Sequence, residues 1–188
     1  GDWSSDVCSS DLPDNLRAQH TLGMTLIQLG RYADGMALYE ARHKLLARPT
    51  APFPEWQGEP LKGKRILVLA EQGLGDQILW SRFIPLLARE AAEVRLAVAR
   101  PLVRLFEQLP AAVFNAQSFE EQPVDLWASM GSVPRWLNAG PDDAPSPTLR
   151  ASAPVGPTRG IGLMLQGGDR NPNPSRVPTG GVAKAIRG

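Results

Sequence analysis

Cysteine is all but missing from this chain of 188 residues: Cys8 stands alone, and only two histidines, His20 and His43, accompany it. One cysteine cannot close an internal disulfide, and a cysteine-ligated zinc site lacks its ligands. The histidines do not fall at metal-ligand spacing and read as helix-face residues, so neither a metal nor a cofactor is expected. An excess of charge is missing too. Twenty basic residues oppose 19 acidic ones, interspersed, for a net charge of +1, which leaves no electrostatic footprint for nucleic acid. No apolar run approaches the ~20 residues that span a bilayer, so no membrane span is expected. Familiar catalytic signatures are absent as well: there is no GK[ST] of a P-loop, no GxSxG, and no Ser/His/Asp order.

A hydrophobic fraction of 43% is enough for a globular core, and the 18 prolines crowd into 49–60 and 141–178, as linkers do. The most informative stretch is RILVLAEQGLGDQILWSRFIPLL, residues 65–87. A β-branched and leucine run passes into a glycine turn (Gly73, Leu74, Gly75), an acid (Asp76) and an amphipathic segment. This is the pattern of a buried parallel strand, a tight turn and a helix, with a carboxylate where open α/β sheets bind ligands. Glycines there let a ligand approach the backbone, and the helix start favours anions. The dinucleotide fingerprint fails, because Ile78 stands where its third glycine is needed and strand two ends in Ala99-Arg100 rather than an acid. That break weighs against an oxidoreductase.

Periodicity sets the expected elements. Residues 14–29 and 33–47 form a helical hairpin. Its first stripe is Leu16, His20, Gly23, Leu26 and Ile27, with Gly30 just past the end, and its second is Met36, Tyr39, His43 and Leu46. Gly23 marks a close helix crossing, and Tyr32 and Tyr39 fill the seam. In the connector, Phe53 and Trp56 pack on a neighbouring surface or, alternatively, stack a sugar ring. Strands are expected at 65–70, 94–98, 112–114 and 124–128, in one parallel sheet. The helix over 77–90 should turn Leu79, Phe83, Leu86 and Leu87 to the sheet and kink at Pro85. Pro101 opens a further helix, with Leu102, Leu105, Phe106 and Leu109 inward, and a short helix falls near 132–137.

Two resemblances organise the whole. Residues 1–12, GDWSSDVCSSDL, resemble translated sequencing adapter, which would remove Cys8 from the biological protein. The stretches LGRYADGMALYEARH, FPEWQGEPLKGKRILVLAEQGLGDQILWSRFIPLLA, VDLWASMGSVPRWL and, more loosely, IGLMLQGGDRNPNPSRVP resemble bacterial proteins that join tetratricopeptide repeats to a family 9, heptosyltransferase-like glycosyltransferase domain. Gly35 departs from the alanine usual at the second close-packing position of such repeats.

The resemblance implies an α/β fold: the Rossmann-like N-terminal half of a GT-B glycosyltransferase, preceded by one tetratricopeptide-like hairpin. The expected division is an adapter segment at 1–12, the hairpin at 13–48, a linker at 49–63, an acceptor-side domain at 64–138, a linker at 139–158 and the truncated start of a donor-side domain at 159–188, so that the chain reads as a fragment at both ends. It further implies a nucleotide-sugar donor and a saccharide or protein acceptor, protein partners through the repeats, and a cytoplasmic location or one peripheral to the inner membrane. Asp76 matches the acid used as general base, with Gln72, Gly73 and Gly75 lining the substrate side, and Arg170 and Arg176 fall where donor phosphates are contacted. The order Gly168-Asp169-Arg170 … Ser175-Arg176 departs from the family's arrangement there. Two rivals stand beside catalysis. Asp76 is also a favoured residue to cap the helix that follows, and the chain could be a non-catalytic repeat protein with a degenerate α/β domain.

Overall fold

Residues 15–117, 123–145 and 149–150 are described by a computed structural model of the chain. The adapter-like residues 1–12, the strand expected at 160–166, and Arg170 and Arg176 lie outside the described residues.

The chain begins with α1 (Leu16–Gln28), where the Asn15 side chain accepts the Ala18 N–H at 3.0 Å and so satisfies one of the helix's free first-turn donors. It ends as expected at Gly30 (φ 81°), with Gly30 N–H donating to Ile27 O and Arg31 N–H to Leu26 O. The next helix is shorter than the expected 33–47. It runs as α2 (Tyr32–Tyr39), tightens, and resumes as the single turn α3 (Arg42–Leu45). From the junction into α3, Ala41, His43 and Lys44 donate three residues back, to Leu38, Glu40 and Ala41. This overwinding buries Arg42 and leaves Leu46, expected to face inward, exposed. The crossing of α1 and α2 is backbone on backbone. A Cβ on Gly23 would stand 2.7 Å from Tyr39 N, and one on Gly35 would stand 2.8 Å from Gly23 O.

The connector does not hang free. Trp127 N–H donates to Pro54 O (3.0 Å) and Trp56 N–H to Trp127 O (2.8 Å), so residues 54–56 lie along an edge strand and shield its unpaired groups. The Trp56 ring is buried, with Nε1 donating to Glu59 O. Phe53 packs on the opposite side of the sheet.

Strands β1 (Arg65–Leu69), β2 (Glu93–Val98), β3 (Ala112–Asn115) and β4 (Leu126–Ser129) form one parallel sheet in the order β3-β2-β1-β4. Alternation divides its faces. Ile66, Val68, Leu96, Val98 and Ala128 meet the helices in the main core, which also takes Ile27, Met36 and Tyr39 from the hairpin. On the other face Leu67, Ala97, Val124 and Trp127 form a smaller cluster with Leu69, and the connector's Ala51 and Phe53 pack against it.

The single kinked helix expected at 77–90 is instead two helices, α4 (Leu74–Ser81) and α5 (Ile84–Glu90). Pro85 lies in the first turn of α5, where its missing N–H would have had no partner, so it starts a helix rather than bending one. The break rotates the inward face onto Trp80, Phe83, Ile84 and Leu87, and Leu79, expected to face the sheet, is 43% exposed. After β2 come a 3₁₀ turn (Arg100–Leu102) with Pro101 in its first turn, and α6 (Val103–Phe106). After β4 come a second 3₁₀ turn (Met130–Ser132) and α7 (Val133–Trp136).

Candidate functional site

Strand order reverses between β1 and β4, so the crevice outside their carboxyl ends is the topological switch point where open α/β sheets take ligands. Two turns meet there, residues 70–73 after β1 and 130–132 after β4.

In the first turn Gln72 adopts φ 64°, a conformation side chains rarely hold without support. Its support comes from the hairpin: Gln72 Nε2 donates to the Tyr39 hydroxyl at 2.9 Å. Tyr39 is itself clasped between His20 and Trp80, each with ring centroids 5.5 Å away. Burial pushes the Tyr39 phenol up, against the opposing charge of Arg42, so it stays protonated near neutral pH. Burial and, after it, the charge of Arg42 lower the pKa of the stacked His20 imidazole.

Asp76 is not the helix's N-cap. Gly73 holds that position, α4 already begins at Leu74, and Asp76 sits in the first turn, where its Oδ2 accepts the Gly73 N–H at 3.0 Å. The carboxylate thus reaches back to the residue before the helix, half of a capping box. Its other oxygen has no hydrogen-bond partner among the described residues. Beside it Gly75 is open: apart from its chain neighbours and its own helix backbone, no atom of the described residues lies within 4 Å of where a Cβ would stand. Gln77, one residue on, is buried: its Oε1 accepts the Ala99 N–H at 3.1 Å, tying α4 to the end of β2. Gln72, Gly73, Gly75 and Asp76 therefore share one turn at the carboxyl edge.

The residue that fills the switch point is one that sequence reasoning did not single out. Arg42, from α3, is only 1% exposed. It donates through Nε (3.2 Å) and Nη2 (2.6 Å) to Glu71 Oε1, through Nη2 to Ser132 Oγ (2.8 Å), and through Nη1 to Glu40 Oε1 (2.7 Å). Glu71 Oε1 also accepts the Gly131 N–H at 3.1 Å, and Ser132 Oγ donates to Glu40. His43 faces both acids, with Nδ1 3.5 Å from Glu40 Oε2 and Nε2 3.6 Å from Glu71 Oε2, and so is more than the helix-face residue expected. Arg135 approaches Glu40 from α7 at 3.8 Å. Burial alone would push the Glu71 carboxyl up, but the hydrogen bonds and charges of His43 and Arg42 outweigh it and hold it at about 2. The same acids keep Arg42 charged, although burial works against the charge. No local signal could have found this pair, since its members stand 29 residues apart.

A cavity of about 310 Å³ opens between the hairpin and α7, lined by Gly30, Tyr32, Met36, Pro134 and Asn138. Another of about 260 Å³ lies beneath Pro52 and Phe53, against Leu67, Leu69 and Ala97. Asp76 lines neither. Among the described residues no group of three or more His, Cys, Asp or Glu could hold a metal ion, and no helix is long and apolar enough to cross a membrane.

Fold and site together define an α/β protein with a parallel sheet and a helical hairpin fastened across its switch point. Over 200 aligned residues the chain is 28% identical to Protein FlbA of Caulobacter vibrioides, an alignment that covers 94% of this chain and 30% of that protein. The chain thus spans about 30% of the length of this curated relative. No family model matches it, and no solved structure does.

Proposed function

We propose that the chain is the acceptor-side part of a GT-B glycosyltransferase, which moves a sugar from a nucleotide donor to a saccharide or protein hydroxyl. The observation that carries this reading is the Asp76 carboxylate. It stands on the first turn of α4, at the carboxyl edge of a parallel sheet, with one oxygen anchored by Gly73 N–H at 3.0 Å. The anchored oxygen fixes the orientation and the other is left to accept a proton. In the reaction the acceptor oxygen attacks the anomeric carbon as Asp76 takes its proton. The bond from that carbon to the phosphate oxygen breaks, the nucleoside diphosphate leaves as an anion, and configuration inverts in a single displacement. The leaving charge would be met on the donor side, where Arg170 and Arg176 are the candidate contacts. Gln72, Gly73 and Gly75 would shape the acceptor side, and the hairpin would be the last unit of a tetratricopeptide array. A cytoplasmic location, or one peripheral to the inner membrane, follows from the soluble nucleotide donor.

The second reading, a repeat protein whose α/β part is a scaffold, is favoured by a different observation: Arg42 and Glu71 occupy the switch-point crevice that a ligand would otherwise enter.

Asp76→Asn separates the two, assayed in a chain that extends through a second α/β half. Asparagine can still accept the Gly73 N–H but cannot take a proton. Nucleoside diphosphate release from a panel of nucleotide sugars should fall by about 10²-fold or more in kcat, with the melting temperature nearly unchanged. Turnover at the wild-type rate would leave Asp76 with capping alone and favour the scaffold.

A further inference from the structure

Outside the candidate base the chain carries two cavities, the exposed apolar residues Leu74, Ile78 and Leu79 of α4, and a buried charge cluster at the switch point. The cluster alone joins the hairpin to both turns of the site through named hydrogen bonds. We infer that Arg42 is a positioning residue for the Gln72–Asp76 turn, so that the helical hairpin and the α/β unit build the candidate site together. The inference concerns the geometry of the turn and rests on the proposed function only for the chemistry Asp76 would perform.

The connections are short. Glu71, gripped by Arg42, is the residue before Gln72, whose φ is 64°. Gln72 precedes Gly73, whose N–H orients Asp76. A shift of the Glu71 backbone therefore passes directly into the Asp76 carboxylate. From the other side, Glu71 Oε1 holds Gly131 N–H, so the same guanidinium fixes the turn after β4. The fit leaves no slack: a Cβ on Gly131 would lie 2.8 Å from Glu71 Oε1 and 3.1 Å from Arg42 Nη2. Tyr39, three residues before Arg42, makes the second grip through Gln72. Arg42 does this from inside the protein, since a side chain 1% exposed cannot meet a substrate. A planar fork is required. Lysine would supply the charge but not the spread of the fork, which reaches Glu40 from Nη1 and Glu71 and Ser132 from Nη2.

Amide exchange tests this in the chain itself and needs no substrate. In Arg42→Met the Gly73 and Gly131 amides, which report the Asp76 and Glu71 hydrogen bonds, should exchange faster by about tenfold or more beyond any rise in the β2 amides of Leu96 and Val98, which report global stability. Arg42→Lys should loosen the same two amides to a lesser degree. Methylguanidinium added to Arg42→Ala should slow them again, and should leave wild type unchanged. If Arg42→Met does not fold, the lysine variant decides. Unchanged Gly73 exchange, or a rise shared equally with β2, would overturn the inference, because Arg42 would then support only global stability. The outcome is separate from that of Asp76→Asn. A loosened turn alongside a fully active Asp76→Asn protein keeps the positioning role and discards the base, and a rigid turn alongside an inactive one does the reverse.

Discussion

Glu71 follows a hydrophobic strand and precedes two glycines, which in the sequence looks like the start of a solvated loop. In the fold its carboxylate is one of the most constrained groups in the molecule, bonded by Arg42 and Gly131 and faced by His43. The nearby glycines and Asp76 were legible because their chemistry is local, a turn followed by a helix. Glu71 and Arg42 were not, because each makes sense only beside a partner from a distant segment. The depressed pKa has a measurable consequence. Burial raises the carboxyl and its partners lower it further, so its folded value of about 2 lies below the ordinary 4.5. A carboxyl lowered on folding contributes stability that is complete above the unfolded value and is lost as pH falls toward the folded one. Urea midpoints should therefore drop between about pH 4.5 and pH 2, and Glu71→Gln should be less stable at neutral pH but flatter across that window. An equal slope in both proteins would assign the acid sensitivity to other carboxylates. Arg42→Ala is the harsher change. It leaves Glu71 buried without its counter-charge and should cost about 3–5 kcal/mol in chemical denaturation.

The strands of the sheet were legible as elements because each is a short, largely apolar run between breakers, and β1 and β4, buried on both faces, need no alternation to be recognised. Helix boundaries were less so. The periodicity through 33–47 and 77–90 continues across positions where the chain turns, at Glu40–Ala41 and at Arg82–Phe83. Tertiary packing decides both breaks: the first delivers Arg42 to Glu71, and the second delivers Phe83 and Ile84 to the core while Leu79 turns outward. The α1–α2 crossing was half legible. Gly23 was expected to sit where the helices touch, and Gly35, a departure from the repeat pattern, proves to be its counterpart across the same contact. A glycine on each side lets the two backbones touch, with a Cβ on Gly35 placed 2.8 Å from Gly23 O. Gly23→Ala should therefore destabilise by about 1–3 kcal/mol, because the atoms a Cβ would strike, Tyr39 N and Gly35 O, are backbone and cannot swing aside. Ala37→Gly, at an exposed position of α2, provides the contrast: a loss of about 1 kcal/mol from helix propensity alone. If Gly23→Ala melts with wild type, the crossing is more pliable than its distances imply.

At the scale of the whole molecule, the hairpin and the sheet share one interior. Tyr39 joins Trp80, and Tyr32 meets Phe83 with ring centroids 6.4 Å apart. Ile27 and Met36 enter the same cluster as Ile66 and Val68 of β1. The sequence signals for a repeat unit and for an α/β unit are each self-contained, so nothing in either announces that the two are interlocked. Deleting residues 1–48 tests how far the interlock goes. The remaining chain would expose the faces of Trp80 and Phe83 that the tyrosines cover, lose the support of Gln72, and leave Glu71 buried beside Gly131 without a cation. Exposed aromatic surface and an unpaired buried charge each weaken cooperative folding. The truncated chain should keep much of its far-ultraviolet circular dichroism, lose near-ultraviolet signal, bind a hydrophobic dye, and unfold over a broad range of urea. Adding residues 13–48 back as a separate peptide should partly restore the near-ultraviolet signal, and the same peptide carrying Arg42→Met should not. A sharp, two-state transition in the truncated chain would instead make the hairpin an appendage, and the site at the carboxyl edge the property of the sheet alone.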